Sequence, residues 1–198
     1  MLSTKNSLVL AGQIENVPTF SHKAHDFTFM RFTLNIARLS GTFDRINVLI
    51  NSNLIDTDLQ IGDYVEIEGE LRSYNNKSGV GNKLVICAYA RCIKHISRCS
   101  RNELRLCGVI CKLPIYRKTP LGREICDLML AINRRYGRAD YIPIIAWGKN
   151  AQYLSQLSIG ESIEITGRIQ SREYIKATDE DDIVRTAYEV SVSSIDIP

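Results

Sequence analysis

The sequence repeats itself with a period of about ninety-six residues. That is too long for a solenoid and suits two copies of one domain. Asn6-Ser7-Leu8-Val9-Leu10-Ala11-Gly12-Gln13-Ile14 resembles Asn102-Glu103-Leu104-Arg105-Leu106-Cys107-Gly108-Val109-Ile110. Pro18 and Phe20 align with Pro114 and Tyr116, and Leu34, Ile36 and Arg38 with Leu130, Ile132 and Arg134. Ile61-Gly62 matches Ile159-Gly160, and Glu68-Gly69-Glu70-Leu71-Arg72-Ser73 matches Thr166-Gly167-Arg168-Ile169-Gln170-Ser171. The polar stretch Ser97-Arg98-Cys99-Ser100-Arg101 is the natural joint, so the reading divides the chain into domains 1–98 and 99–198.

Each copy alternates apolar and mixed residues with period two, the mark of half-buried strands. Leu8, Leu10, Gly12 and Ile14 form one such series, and Met30, Phe32, Leu34 and Ile36 a second. Ile46, Val48 and Ile50 form a third, and Val65, Ile67, Gly69 and Leu71 a fourth. A fifth run covers roughly Leu84 to Ile96. Lys149 to Leu157 reads as a short helix between the third and fourth strands of the second copy. An all-β chain of two tandem OB-folds, five-stranded Greek-key barrels with at most a short helix each, fits this pattern. Glycines inside the first and fourth strands suit the sharp bends of small barrels.

Composition mainly excludes. No stretch approaches the ~20 apolar residues of a membrane span, and the N-terminus lacks a secretory pattern, so the expected location is cytoplasmic and associated with the nucleoid. Six cysteines contain no C-x-x-C pair, and the three histidines stand mostly apart from them, so reduced thiols are expected and neither a metal nor a cofactor. No glycine-rich phosphate loop, nucleophile elbow or metal-binding histidine pair occurs, so no enzyme is expected. The two halves carry net charges of +2 and +1, but the second rises to +5 without the run Asp179-Glu180-Asp181-Asp182. That run reads as a solvated hairpin tip, or more sharply as a DNA mimic or docking spot.

The second copy resembles the bacterial single-stranded DNA-binding protein family. The resemblance rests on Leu106-Cys107-Gly108-Val109-Ile110, on Thr119-Pro120-Leu121-Gly122 and on the strand Leu128 to Arg134. It is strongest in Tyr141 to Ala151, followed by Gly160 to Tyr174. The first copy resembles the family mainly through its match to the second. The resemblance implies a barrel that wraps single-stranded DNA, with four barrels per assembly, so this chain would form a homodimer. It also implies that aromatic rings at Tyr136, Tyr141, Trp147 and Tyr174 stack on bases. Relatives commonly carry a long tail ending in acidic residues. This sequence closes at Ser193 to Pro198 with the last strand, and the reading expects no recruitment through such a tail.

Sequence-tolerant binding of a single strand needs cations for phosphates and flat rings for bases. Strand parity sends Ile142, Ile144 and Ala146 inward, leaving Tyr141, Pro143, Ile145 and Trp147 outward. Ile163, Ile165, Gly167 and Ile169 likewise face in, and Arg168, Arg172 and Tyr174 share the outer face. Arg134, Arg135, Tyr136 and Arg138 sit at a hairpin tip as a basic finger, and Arg117, Lys118, Arg123 and Lys149 add charge nearby. Each has a plainer reading: Trp147 as a cap on the core, Tyr153 as a helix-packing residue, the arginine tip as a solvated loop.

The first copy lacks both rings of that third strand. Arg45, Asn47, Leu49 and Asn51 stand where the second copy has Tyr141, Pro143, Ile145 and Trp147, and Glu66, Glu68 and Glu70 line the phosphate track. Phe27, Phe29, Arg31, Phe43, Arg45, Arg72 and Tyr74 remain as secondary nucleic-acid or interface candidates. Three functions follow: a single-stranded DNA binder in replication, recombination or repair; an adaptor like the primosomal OB protein, binding mainly proteins; or a single-stranded RNA binder. Trp147→Ala is expected to weaken DNA binding more than Phe29→Ala, and equal losses in a fluorescence titration would count against the asymmetry.

Overall fold

The computed structural model describes residues 6–55, 58–77, 82–134, 137–176 and 183–196. The first copy supplies β1 (Asn6–Ile14), β2 (Thr19–Ala24), β3 (Phe27–Ala37), β4 (Phe43–Asn51), β5 (Tyr64–Asn75) and β6 (Leu84–His95). The second supplies β7 (Arg101–Ile110), β8 (Ile115–Lys118), β9 (Glu124–Asn133), β10 (Ala139–Trp147), α1 (Gly148–Leu154), β11 (Ser162–Lys176) and β12 (Ile183–Asp196).

The pairings close each copy into a barrel. In the first, β1 runs antiparallel to β5, from Leu8 opposite Gly69 to Gln13 opposite Tyr64, and its end also meets β3. β3 pairs with β4, β4 lies parallel to β6 at Val48–Ala88 to Ile50–Ala90, and β6 neighbours β5. In the second, β7 meets β9, β9 pairs with β10, β10 lies parallel to β12 at Ile144–Val190 and Ile145–Ser191, and β12 pairs with β11, which neighbours β7. These are two tandem OB-folds. The inward residues of the alternating series form the cores: Leu10, Phe32, Leu34, Ile46 and Ile67 in one barrel, Leu106, Leu130, Ile142, Ile144 and Ile165 in the other.

Two details differ from the sequence expectation. Each copy has a sixth short strand, β2 and β8, folded back on the second. Neither buries a face, so neither carries the alternation that reveals a strand. The helix begins at Gly148 and ends at Leu154, three residues short of the expected Leu157. In the first copy only a 3-10 turn, Ser52–Leu54, fills that place.

The repeat reaches down to backbone details. Gly62 and Gly160 both lie near φ +95, the left-handed region that favours glycine. Each donates its N–H to the last residue of the first barrel strand, Ile14 or Ile110, at 2.9 Å. Within strands, Gly12, Gly69, Gly108 and Gly167 sit where another strand's carbonyl crosses closely, at Asn35, Tyr89, Ala131 and Ser191.

The chain forms two compact units. One comprises residues 6–72 and 87–104; the other comprises residues 73–86 and 105–198. The far ends of β5 and β6 therefore group with the second barrel.

Gly167→Ala is expected to cost about 1–3 kcal/mol, because its Cβ would collide with the Ser191 carbonyl and force the backbone to shift. A lowered midpoint in urea denaturation checks this; an unchanged midpoint would show that the crossing can relax.

Candidate nucleic-acid interface

On β10 the period-two rule separates core from surface. Ile142, Ile144 and Ala146 are buried, while Tyr141 and Trp147 are 48% and 39% exposed. The two rings stand about 20 Å apart along the strand. Trp147 is the residue at which the chain turns from β10 into α1: its own backbone is extended, and Gly148 follows at φ +53. At 39% exposed, it is not enclosed in the core. Lys149, on the first turn, is exposed. Ile145 departs from expectation. Its parity is outward, yet it is buried, as is its neighbour Ser191 on β12. A strand hydrogen-bonded on both sides leaves its central residues less open than its ends. Tyr153, on α1, is half-buried.

Register carries this face onto the next two strands. Ile145, Ser191 and Arg168 lie side by side across β10, β12 and β11. Further along, Gln170 opposes Glu189 and donates to it at 2.7 Å, Arg172 opposes Ala187, and Tyr174 opposes Arg185. Arg168 and Arg172 are exposed. Among the described residues neither guanidinium has an acidic partner, and the same holds for the exposed Arg138, Arg123 and Lys149.

The expected arginine finger is divided by the structure. Arg135 and Tyr136 lie outside the described residues, as does the acidic run 179–182. Arg134 is committed to an ion pair: its Nε donates to Asp140 Oδ2 at 2.5 Å, its Nη2 meets Oδ1, and Asp140 is fully buried. Nη2 also donates to the Ser73 carbonyl at 3.0 Å. Ser73 returns its N–H to Asp140 at 2.5 Å and accepts the Tyr141 N–H on its Oγ at 2.7 Å. Arg134 is therefore a structural cation at the root of the hairpin, because a buried carboxylate needs a charged, hydrogen-bonded partner. The first copy repeats the device with Arg38 and the buried Asp44.

Beside this clamp, residues 82–86 and strands β10 to β12 enclose an open cleft of about 300 Å³. Tyr174 lines it, half-buried, with its hydroxyl 3.3 Å from Asn82 Oδ1. Asn82 Nδ2 donates to the Thr186 carbonyl. Lys83, Arg185 and Tyr188 complete the cleft with Pro143. Asn82, Lys83, Arg185 and Tyr188 were not among the residues expected from the sequence. The outward parity of Arg185 beside Tyr174 was a usable signal, whereas Lys83 lies roughly a whole repeat away and gave none.

Other expected cations are partly engaged. Arg117 pairs with Asp127 at 2.8 Å and Lys118 with Glu124 at 3.7 Å. Hydrogen bonds from the Tyr116 hydroxyl and then the Gln152 amide hold Glu124 below the ordinary carboxylate value.

The secondary candidates separate in the same way. Phe27, Phe43 and Tyr74 are exposed, and so is Arg31. Phe29 is buried at 8%, stacked on His22 with ring centroids 4.9 Å apart, so it belongs to packing. Arg45 pairs with Glu15 at 2.7 Å, and Arg72 pairs with Glu70 and lies over the Tyr89 ring. The carboxylate row on β5 is also not bare. Glu66 meets Arg101 at 3.7 Å, Glu68 meets Lys94 at 3.1 Å, and Glu70 meets Arg91 as well as Arg72. That face is a ladder of ion pairs, not a wall of negative charge.

Comparison with known proteins follows the same division. Residues 101–198 match the Single-strand binding protein family. The Single-stranded DNA-binding protein of Clostridium tetani is 38% identical over 80 residues, covering 37% of this chain and 55% of that protein. Single-stranded DNA-binding protein 3 of Clostridium acetobutylicum is 36% identical over 80 residues, covering 37% and 56%. The chain thus spans little more than half the length of these relatives. The wild-type single-stranded DNA binding protein from Thermus aquaticus matches in structure with a TM-score of 0.79 at 20% identity, covering 98% of this chain and 92% of that one. That likeness bears on the fold.

Arg134→Ala strands the Asp140 carboxylate in the interior and is expected to cost about 3–5 kcal/mol of stability. Arg168→Ala, at an exposed and uncommitted side chain, should stay within about 0.5 kcal/mol of the parent. Denaturant melts of the two variants side by side check the contrast, and equal midpoints would contradict it.

Proposed function

Residues 101–198 belong to the single-strand binding protein family, and on that premise we propose that this chain binds single-stranded DNA without strong sequence preference. The strand lies on the outer face of the second barrel. The observation that carries this reading is the pair of exposed rings, Tyr141 and Trp147, flanking a buried run on β10, with the guanidinium groups of Arg168 and Arg172, which have no acidic partner among the described residues, two strands away.

The mechanism follows from the two kinds of group. Each ring offers an apolar face to any base, worth about 1–3 kcal/mol per stacked base and blind to its identity. Arginines without acidic partners exchange counterions for phosphates, so affinity falls as salt rises. Arg138, Arg123 and Lys149 extend this charge, with Arg117 and Lys118 contributing less because Asp127 and Glu124 already hold them. Tyr174 adds a third ring at the end of the face. Arg134 takes no part beyond holding its hairpin.

The first barrel contributes less. Arg45 and Asn51 stand where the second copy has its rings, and Arg45 and Arg72 are held by Glu15 and Glu70. Its exposed Phe27 and Phe43 are available for an interface, and a homodimer would bring four barrels together. The cellular setting is replication, recombination or repair, in the cytoplasm.

The deciding experiment titrates poly-dT, poly-rU and duplex DNA at two salt concentrations, with the oligomer mass measured in parallel. Poly-dT should bind most tightly, weaken steeply with salt, and lose roughly 5- to 150-fold in affinity on Trp147→Ala. Preference for duplex, or indifference to Trp147→Ala, would overturn the reading; tighter binding of poly-rU would make RNA the ligand.

A further inference from the structure

We propose that the cleft between the first copy's β5–β6 hairpin and the second barrel is a nucleotide subsite, so that Lys83 and Asn82 complete the single-strand site of the other copy. This rests on the single-strand binding reading and extends it to residues outside the family-matched segment 101–198.

The lining points to one nucleotide. Two rings, Tyr174 and Tyr188, offer apolar faces for a base, and Pro143 adds apolar surface. Arg185 lines the same cleft, and its Nε is buried with no hydrogen-bond partner among the described residues. A buried donor without an acceptor is unfavourable, and a phosphate oxygen is the acceptor a guanidinium matches best. Lys83 stands exposed, with no ion partner among the described residues. The volume of about 300 Å³ lies at the small end of ligand sites and leaves room for a single nucleotide unit.

The cleft is also held in place. The Ser73 clamp ties the base of the hairpin to Asp140, Arg134 and Tyr141. Asn82 ties the far end, donating to the Thr186 carbonyl while its oxygen receives the Tyr174 hydroxyl. The Tyr174 ring is thus oriented by a residue from the other copy. A stacking ring whose rotamer is set before binding loses less freedom when the base arrives.

The test compares Lys83→Ala with Lys77→Ala, an exposed lysine on the same hairpin that does not line the cleft. Both remove one surface charge and should fold normally, as circular dichroism melts would check. In poly-dT titrations Lys83→Ala should lose roughly 3- to 10-fold in affinity at 0.1 M salt, with its log–log salt slope flatter by about 0.7. Lys77→Ala should stay within about 2-fold of the parent. Arg185→Lys, which keeps charge but loses the fork, should weaken binding further than Lys77→Ala.

Equal behaviour of Lys83→Ala and Lys77→Ala, in a parent that binds poly-dT and responds to Trp147→Ala, would overturn the subsite alone. A parent that does not bind poly-dT would remove the reading beneath it. Binding of poly-glutamate that depends on Lys83 and Arg185, with poly-dT affinity indifferent to both, would assign the cleft to an acidic peptide and overturn the proposal.

Discussion

A carboxylate removed from water must be met by charge and hydrogen bonds, and Asp140 gathers both from distant parts of the chain. Arg134 reaches it from the far side of the β9–β10 hairpin, and Ser73 reaches it from the end of β5. The same exchange occupies the Tyr141 N–H, so the start of β10 is paired on the edge that β12 does not reach there. One buried charge therefore fixes a hairpin, places the segment after residue 73 in the second unit, and steadies the backbone carrying Tyr141. The equivalent pair in the first copy, Arg38 and Asp44, marks this as a property of the repeated domain.

The chemistry of the surface is decided by which cations remain uncommitted. Arg45, Arg72, Arg91, Lys94 and Arg101 are all engaged by glutamates. Exposed ion pairs of this kind add little stability, but they remove net charge from the face they cover. Arg168, Arg172 and Arg138 have no such partner among the described residues. Two barrels of one fold, with nearly equal net charge, thereby present different surfaces to a polyanion.

The copies diverge where a binding face can change without disturbing the core. Outward positions of the third barrel strand hold Tyr141 and Trp147 in one copy and Arg45 and Asn51 in the other, while inward Ile46, Val48 and Ile50 match Ile142, Ile144 and Ala146. The crossing glycines and the left-handed pair Gly62 and Gly160 are kept in both, since a side chain there meets backbone or strains it. Packing constrains one side of each strand, and the other is free to specialise.

Local pattern alone was enough for the two copies, the barrel class and the inward or outward sense of Tyr141, Trp147, Arg168 and Arg172. Period-two alternation is a property of a strand read in isolation, and a core face must repeat it. The short strands β2 and β8 escaped because they bury no face. Partnership was not legible. Arg134 and Arg138 look alike in sequence, yet one is held by a buried aspartate and the other is exposed, with no acidic partner among the described residues. Glu66, Glu68 and Glu70 read as a repelling row until Arg101, Lys94 and Arg91 arrive from other strands. Lys83 became a neighbour of Tyr174 only when a hairpin of the first copy settled against strands of the second. Burial and pairing depend on chain segments brought together over tens of residues, so only the folded arrangement decides which charges and rings are left to meet a ligand.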